Sequence, residues 1–209
     1  MTQRGPEQKR SALTVDPLGP TDPERPDILM RGTLKHGLHV VIRPLHKADR
    51  ETLSEAFPHL SERSRYLRFL TAKGELSSRG LDRLVDAVDH HDHVALAMWW
   101  VRHSTDDVLL GEGRFIRLPD DPTCADVAVT VADEIHGQGA GTLMMRALAA
   151  RAREEGVERF SAVMAPDNEP SHRMMLGSGM ALQDHFVDGL REIEIALDPP
   201  GAQASVPRS

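Results

Sequence analysis

Residues 125 to 156 constrain the chain more than any other stretch. Ala125, Val127, Val129 and Val131 alternate with Asp126, Ala128 and Thr130, a period of two that gives a strand two unlike faces. Gly137, Gly139 and Gly141 follow, and then Leu143, Met144, Ala147, Leu148 and Ala152 recur at helical spacing until Gly156, which suits the residue just past a helix end. In a strand–glycine turn–helix unit, the first-turn N–H groups are unpaired and carry the positive end of the helix dipole. Glycines let an anion come close to that backbone. Gly137, Gln138, Gly139, Ala140, Gly141 and Thr142 therefore read as an anion cradle of a size for pyrophosphate. The other reading is a plain strand-to-helix turn. Two known phosphate loops are excluded. No Gly-Lys-Ser/Thr follows, and His136-Gly137-Gln138-Gly139-Ala140-Gly141 does not fit G-x-G-x-x-G.

Around this unit the pattern alternates between strand and helix. Residues 38–43 (LHVVIR), stopped by Pro44, form a strand, and Asp49 is placed to cap a helix carrying Leu53, Ala56 and Phe57. Ser61 caps a second helix, and Leu81, Leu84, Val85 and Val88 mark a third. Strands are expected at 93–101, 108–118, 125–131, 160–164, 182–187 and 193–197, with a further helix at 169–177. That order excludes an all-helical bundle and a plain doubly wound fold. A mixed α/β fold is expected, its sheet of about seven strands flanked by four to five helices. Residues 1–33, punctuated by Pro6, Pro17, Pro20, Pro23 and Pro26, read as a flexible arm, 34–198 as the folded domain and 199–209 as a flexible tail.

The net charge of −7 and the lack of a long Lys/Arg run argue against nucleic acid as a main partner. No stretch approaches the ~20 apolar residues of a membrane span, and the first residues lack the apolar core of a signal peptide. The one cysteine, Cys124, cannot pair within the chain. A cytoplasmic protein with no membrane partner is expected.

The cradle resembles the acetyl-CoA loop of the GNAT family of N-acetyltransferases, Q/R-x-x-G-x-G/A. Here His136 takes the Q/R place, and Gly139 and Gly141 the two small places. A second element is similar in register: Asn168, Ser171, Met174 and Gly179 match N-x-x-A-x-x-L-Y-x-x-x-G-F, while Met175 stands where that pattern has Tyr. The resemblance covers about residues 36–197 and lies nearest the catalytic domains of bacterial protein-lysine acetyltransferases. Val41-Ile-Arg-Pro44, Ser61 to Phe69 and His93-Val-Ala-Leu96 resemble segments of those domains. It implies the GNAT fold, with a mixed and mostly antiparallel sheet, and acetyl transfer from acetyl-CoA to a primary amine, either a protein lysine or a small amine. A homodimer is left open. An acyl-CoA sensor or scaffold on the same fold is the alternative.

The resemblance also implies roles. Val129, Thr130 and Val131 present backbone to the pantetheine arm, on a strand that splays from the one at 160–164. Gly137 to Thr142 hold the pyrophosphate, and Asn168 binds the arm near the sulfur. Asp126 stands where many members carry a Glu base; a cross-strand ion pair with Arg114 is the competing reading, and Glu112 is the other candidate base. Met175 cannot donate a proton, so no general acid is assigned. His90, His91 and His93 lack the partners of a metal site, and no metal is expected. The methionines at 144, 145, 174 and 175 are expected in the core and pocket lining.

Overall fold

The computed structural model describes residues 14–16, 27–70, 74–101 and 107–197. Nine strands form one sheet: β1 (Thr14–Asp16), β2 (Met30–Thr33), β3 (His39–Pro44), β4 (His93–Trp100), β5 (Val108–Leu118), β6 (Asp121–Val131), β7 (Arg159–Met164), β8 (Ala181–Val187) and β9 (Leu190–Ala196). Their spatial order is β1-β2-β3-β4-β5-β6-β7-β9-β8. Five helices accompany them: α1 (Arg50–Ala56), α2 (Glu62–Phe69), α3 (Ser78–Leu81, running into a π turn at Asp82–Asp86), α4 (Ala140–Glu154) and α5 (Glu169–Gly177). Every neighbouring strand pair is antiparallel except β6 and β7. A parallel pair needs a crossover, and α4 is that crossover.

Seven strands fall where the alternation places them. The other two correct the expected arm boundary: Met30–Thr33 pairs with β3, and Thr14–Asp16 pairs with β2. Ile28 and Leu34 are buried beside them. The Pro-rich composition upstream hid a short apolar run, 28–30, that covers the sheet at β3. The rest of the expected arm and the tail at 199–209 lie outside the described residues.

The sheet has a core on each face. Val40, Ile42, Leu96, Met98 and Phe115 meet Leu143, Met144 and Leu148 of α4 on one side. Val41, Ala95, Ala97 and Trp99 meet Leu53 and Val85 on the other, as the two-residue period requires. Gly113 brings α4 close: a Cβ there would lie 2.6 Å from Met144 Cγ and 2.9 Å from Leu148 Cδ1. Ser61 caps α2, accepting the Ser64 N–H at 3.2 Å. Asp49 does not cap α1 with its side chain. Its carboxylate turns back to the Arg43 guanidinium, at 2.7 and 2.8 Å, and to the His46 N–H at 2.8 Å. A bidentate charge-assisted pair outweighs one capping bond. Among the described residues, no helix is long and apolar enough to cross a membrane.

Candidate active site

The parallel seam between β6 and β7 is three pairs long: Cys124 with Arg159, Ala125 with Phe160, and Asp126 with Ser161. Beyond Asp126 the strands part. β6 stays paired with β5 through Val131, and β7 stays paired with β9 through Met164. The facing edges of Val127–Val131 and Ala162–Met164 have no ladder between them, so a wedge opens in the sheet, with Val129, Thr130 and Val131 on one wall.

The glycine cradle follows the end of that wall. Gly139 is the N-cap of α4 at φ 95°, ψ 0°, and Gly137 has φ 72°; both lie in the left-handed region that glycine enters without strain. The first bond from the cap is Leu143 N–H to Gly139 O at 3.0 Å. The N–H groups of Ala140, Gly141 and Thr142 precede it, with no carbonyl one turn back inside the helix. Gly141 serves packing as well: a Cβ there would meet Met174 Sδ at 2.6 Å, so its bareness lets α5 lie against α4. Gln138 Nε2 donates to Glu134 O at 3.0 Å, which fixes the loop. His136, in the Q/R place, folds its ring back to within 3.1 Å of Val131 O.

Two groups the sequence did not mark join the cradle. Lys35 Nζ donates to Gly137 O at 3.0 Å, which sets a cation beside the glycine turn. Asp133 accepts from the Ser61 N–H at 2.8 Å and from the Ser61 and Ser64 hydroxyls at 2.8 and 2.7 Å. Burial raises the Asp133 carboxyl, but these bonds outweigh it and hold it below its ordinary value. The start of α2 is thereby tied to the loop that carries the cradle.

At the apex of the wedge, Asp126 is exposed and accepts a hydrogen bond from the Ser161 hydroxyl across the last seam pair. The ion pair with Arg114, the competing reading of Asp126, does not form. Arg114 is opposite Ala128, diagonal to Asp126 as anticipated, but its guanidinium turns along its own strand to Glu112 Oε1 at 2.6 Å and to Leu84 O at 3.0 Å. The nearer carboxylate is buried and wins. Glu112 is only 6% exposed, and its second oxygen lies 3.6 Å from the Arg68 guanidinium. Glu112 is thus held between two arginines, while Asp126 keeps solvent and one oxygen free among the described residues.

Asn168 caps α5, its Oδ1 accepting the Ser171 N–H at 3.3 Å, and is 3% exposed. Met144, Met145 and Met175 are core residues. The rings of His90, His91 and His93 contact different partners, and the described residues hold no group of metal-ligand side chains. His91 pairs with Glu155. His93 Nε2 accepts from Arg114 Nη1 at 3.0 Å. Burial first, then the Arg114 charge, pushes His93 below the ordinary 6.5. A histidine held neutral in the fold loses stability as pH falls, because the unfolded chain binds the proton first. Wild-type melting temperature should therefore drop as pH falls below ~6.5, and His93→Gln should flatten that slope in a pH series of thermal melts. An unchanged slope would show that His93 does not set it.

A splayed parallel seam, a glycine-rich helix start and an exposed carboxylate thus lie along β6 and its continuation into α4. Residues 39–181 match the acetyltransferase (GNAT) domain; the chain belongs to this family, whose acetyl donor is acetyl-CoA. It is 30% identical over 134 residues to Acetyltransferase Pat of Mycolicibacterium smegmatis, covering 64% of this chain and 39% of that protein. It is also 30% identical over 152 residues to Acetyltransferase PA5475 of Pseudomonas aeruginosa, covering 72% of this chain and 80% of that protein. The GNAT domain of S. lividans PAT superposes with a TM-score of 0.71 at 27% identity, over 80% of this chain and 96% of that one. The chain thus spans well under half the length of the M. smegmatis relative.

Proposed function

We propose that this chain moves an acetyl group from acetyl-CoA directly to a primary amine, a protein lysine or a small amine. The observation that carries the reading is the wedge: the cradle stands at its open end and a solvent-accessible carboxylate at its apex. Acetyl-CoA supplies an activated acetyl thioester. The N–H groups of residues 137–142, with Lys35 beside them, hold the pyrophosphate. The unpaired edge of Val129–Val131 holds the pantetheine arm, and Asn168 flanks it. Asp126 takes a proton from the acceptor ammonium, directly or through a water, and so frees the amine lone pair to attack, because a lysine amine with a pKa of ~10.4 is mostly protonated at neutral pH. Ser161 holds Asp126 in place. Glu112 is spent on Arg114 and Arg68. The departing thiolate takes its proton from water, since Met175 is a core residue and a thiol pKa of ~8.5 makes it a fair leaving group.

The test is a screen of small amines and lysine-bearing proteins with acetyl-CoA, read by free thiol release. Thiol release that depends on the amine is expected. Tight CoA binding with no release from any amine would instead favour the acyl-CoA sensor.

A further inference from the structure

A cavity of about 580 Å³ opens on the α1–α2 face of the sheet, beside the wedge. Its size is that of small-molecule sites, ~300–1,000 Å³. Leu53, Phe57, Phe69, Trp100, Leu109 and Ile135 contribute to its mainly apolar walls. On its sheet side lie Glu112 and Thr130, register partners on β5 and β6, and Arg68 of α2 reaches toward Glu112.

Two features of that sheet side are unresolved within the fold. The first is charge. Arg114 takes Glu112 at 2.6 Å, and Arg68, 13% exposed, reaches the same carboxylate only at 3.6 Å. Two guanidiniums share one carboxylate, which leaves one positive charge unmatched in this group. Burial, eased by Glu112 and worsened by Arg114, holds Arg68 below an ordinary arginine. Glu55 and Glu134 also border the cavity but are exposed, and Asp107 is half-exposed and acts on Arg43. The second feature is the Thr130 hydroxyl, buried with no hydrogen-bond partner among the described residues. A buried charge without a full partner and a buried hydroxyl without any are both costly; of the two groups, the Arg68 guanidinium is the one with remaining exposure.

We propose that this cavity binds a small apolar carboxylate, its carboxylate on the Arg68 guanidinium and its hydrocarbon against the aromatic and leucine walls. A guanidinium fork matches a carboxylate geometrically, and one such anion balances the charge. The ligand comes from one of two sources: an amino acid, whose amine would make it the acetyl acceptor, or an amine-free acid acting as an effector. The first source rests on the acetyl-transfer reading; the site itself does not.

Calorimetry on the CoA-free protein separates these points. The probes are 3-phenylpropanoate, 3-phenylpropan-1-ol and L-phenylalanine. The acid should bind at least ~10-fold tighter than the alcohol, the worth of a charge-assisted bond. Arg68→Gln should erase that preference, and Arg68→Lys should keep part of it. The acid–alcohol comparison in the wild type needs no variant, so a poorly folded Arg68→Gln does not rescue the idea. Equal affinity for acid and alcohol, no acid binding at millimolar concentration, or an unchanged preference in a folded Arg68→Gln overturns the site. Binding and acetylation of L-phenylalanine supports the site with the acceptor source; binding of the acid without acetylation of L-phenylalanine supports it with the effector source.

Discussion

Asp126→Asn is expected to lower turnover by ~10² or more while acetyl-CoA affinity stays near wild type, since a positioned general base contributes ~10²–10⁴-fold. The substitution keeps the size of the side chain and its bond from Ser161 while removing the negative charge. Asp126→Glu should retain part of the activity, because the apex is open to solvent and tolerates one more methylene. Ser161→Ala should cost less than Asp126→Asn and should shift the acidic limb of the pH–rate profile, where the base is protonated, rather than the acetyl-CoA affinity, which a merely structural role would not do. Steady-state kinetics with calorimetry on the same samples decide the matter. If Asp126→Asn turns over normally and Glu112→Gln is dead, the base is Glu112 after all, despite its two arginines.

Gly139→Val is expected to weaken CoA binding on the order of 100-fold. The side chain enters the cradle and removes one or two charge-assisted N–H contacts, each worth about 1.5–3 kcal/mol. It also forces a β-branched residue into the left-handed region, at φ 95°, a strain of about 1–3 kcal/mol. Gly156→Val separates the two effects. Gly156 has a positive φ of 76° too, but lies past the far end of α4, ~22 Å from the cradle at 1.5 Å per residue. It should melt at a lower temperature and still bind CoA. Equal loss of CoA affinity in both variants would place the pyrophosphate elsewhere.

The strand at 125–131, the glycine turn and the two following helices are readable because each carries its own local signal: alternation, glycine, or an apolar stripe with a cap; Asp121 and Pro122, which read as a turn, already belong to β6. Ser61 acts as the cap that its position predicts. What escaped was everything decided across the sheet. Asp49 looks like a cap by its place before α1, yet Arg43, six residues earlier on the neighbouring strand, takes its carboxylate. Arg114 was placed correctly in register, and its partner was still wrong, because Glu112 on the same strand is closer. Ser161 faces Asp126 only through the parallel register after the α4 crossover, which no local pattern announces. Lys35 and Arg68 sit far from the cradle and from Glu112 in sequence, and the resemblance of residues 61–69 gives Arg68 no role. β2 was missed because proline-rich composition upstream outweighed a three-residue apolar run.

The short β6–β7 seam has a mechanical meaning. Six strands, β1 to β6, form one panel, and β7, β9 and β8 form another. Among the described residues their backbone ladder is three pairs long, flanked by the α4 crossover and the Asp121–Arg159 ion pair. Such a ladder fixes register and leaves the splay angle to side-chain packing. A molecule filling the wedge would bridge both panels and set that angle. Occupancy would then be felt at β8, the outermost strand, whose Phe186 and Val187 face solvent, with no contact between that strand and the bound molecule required.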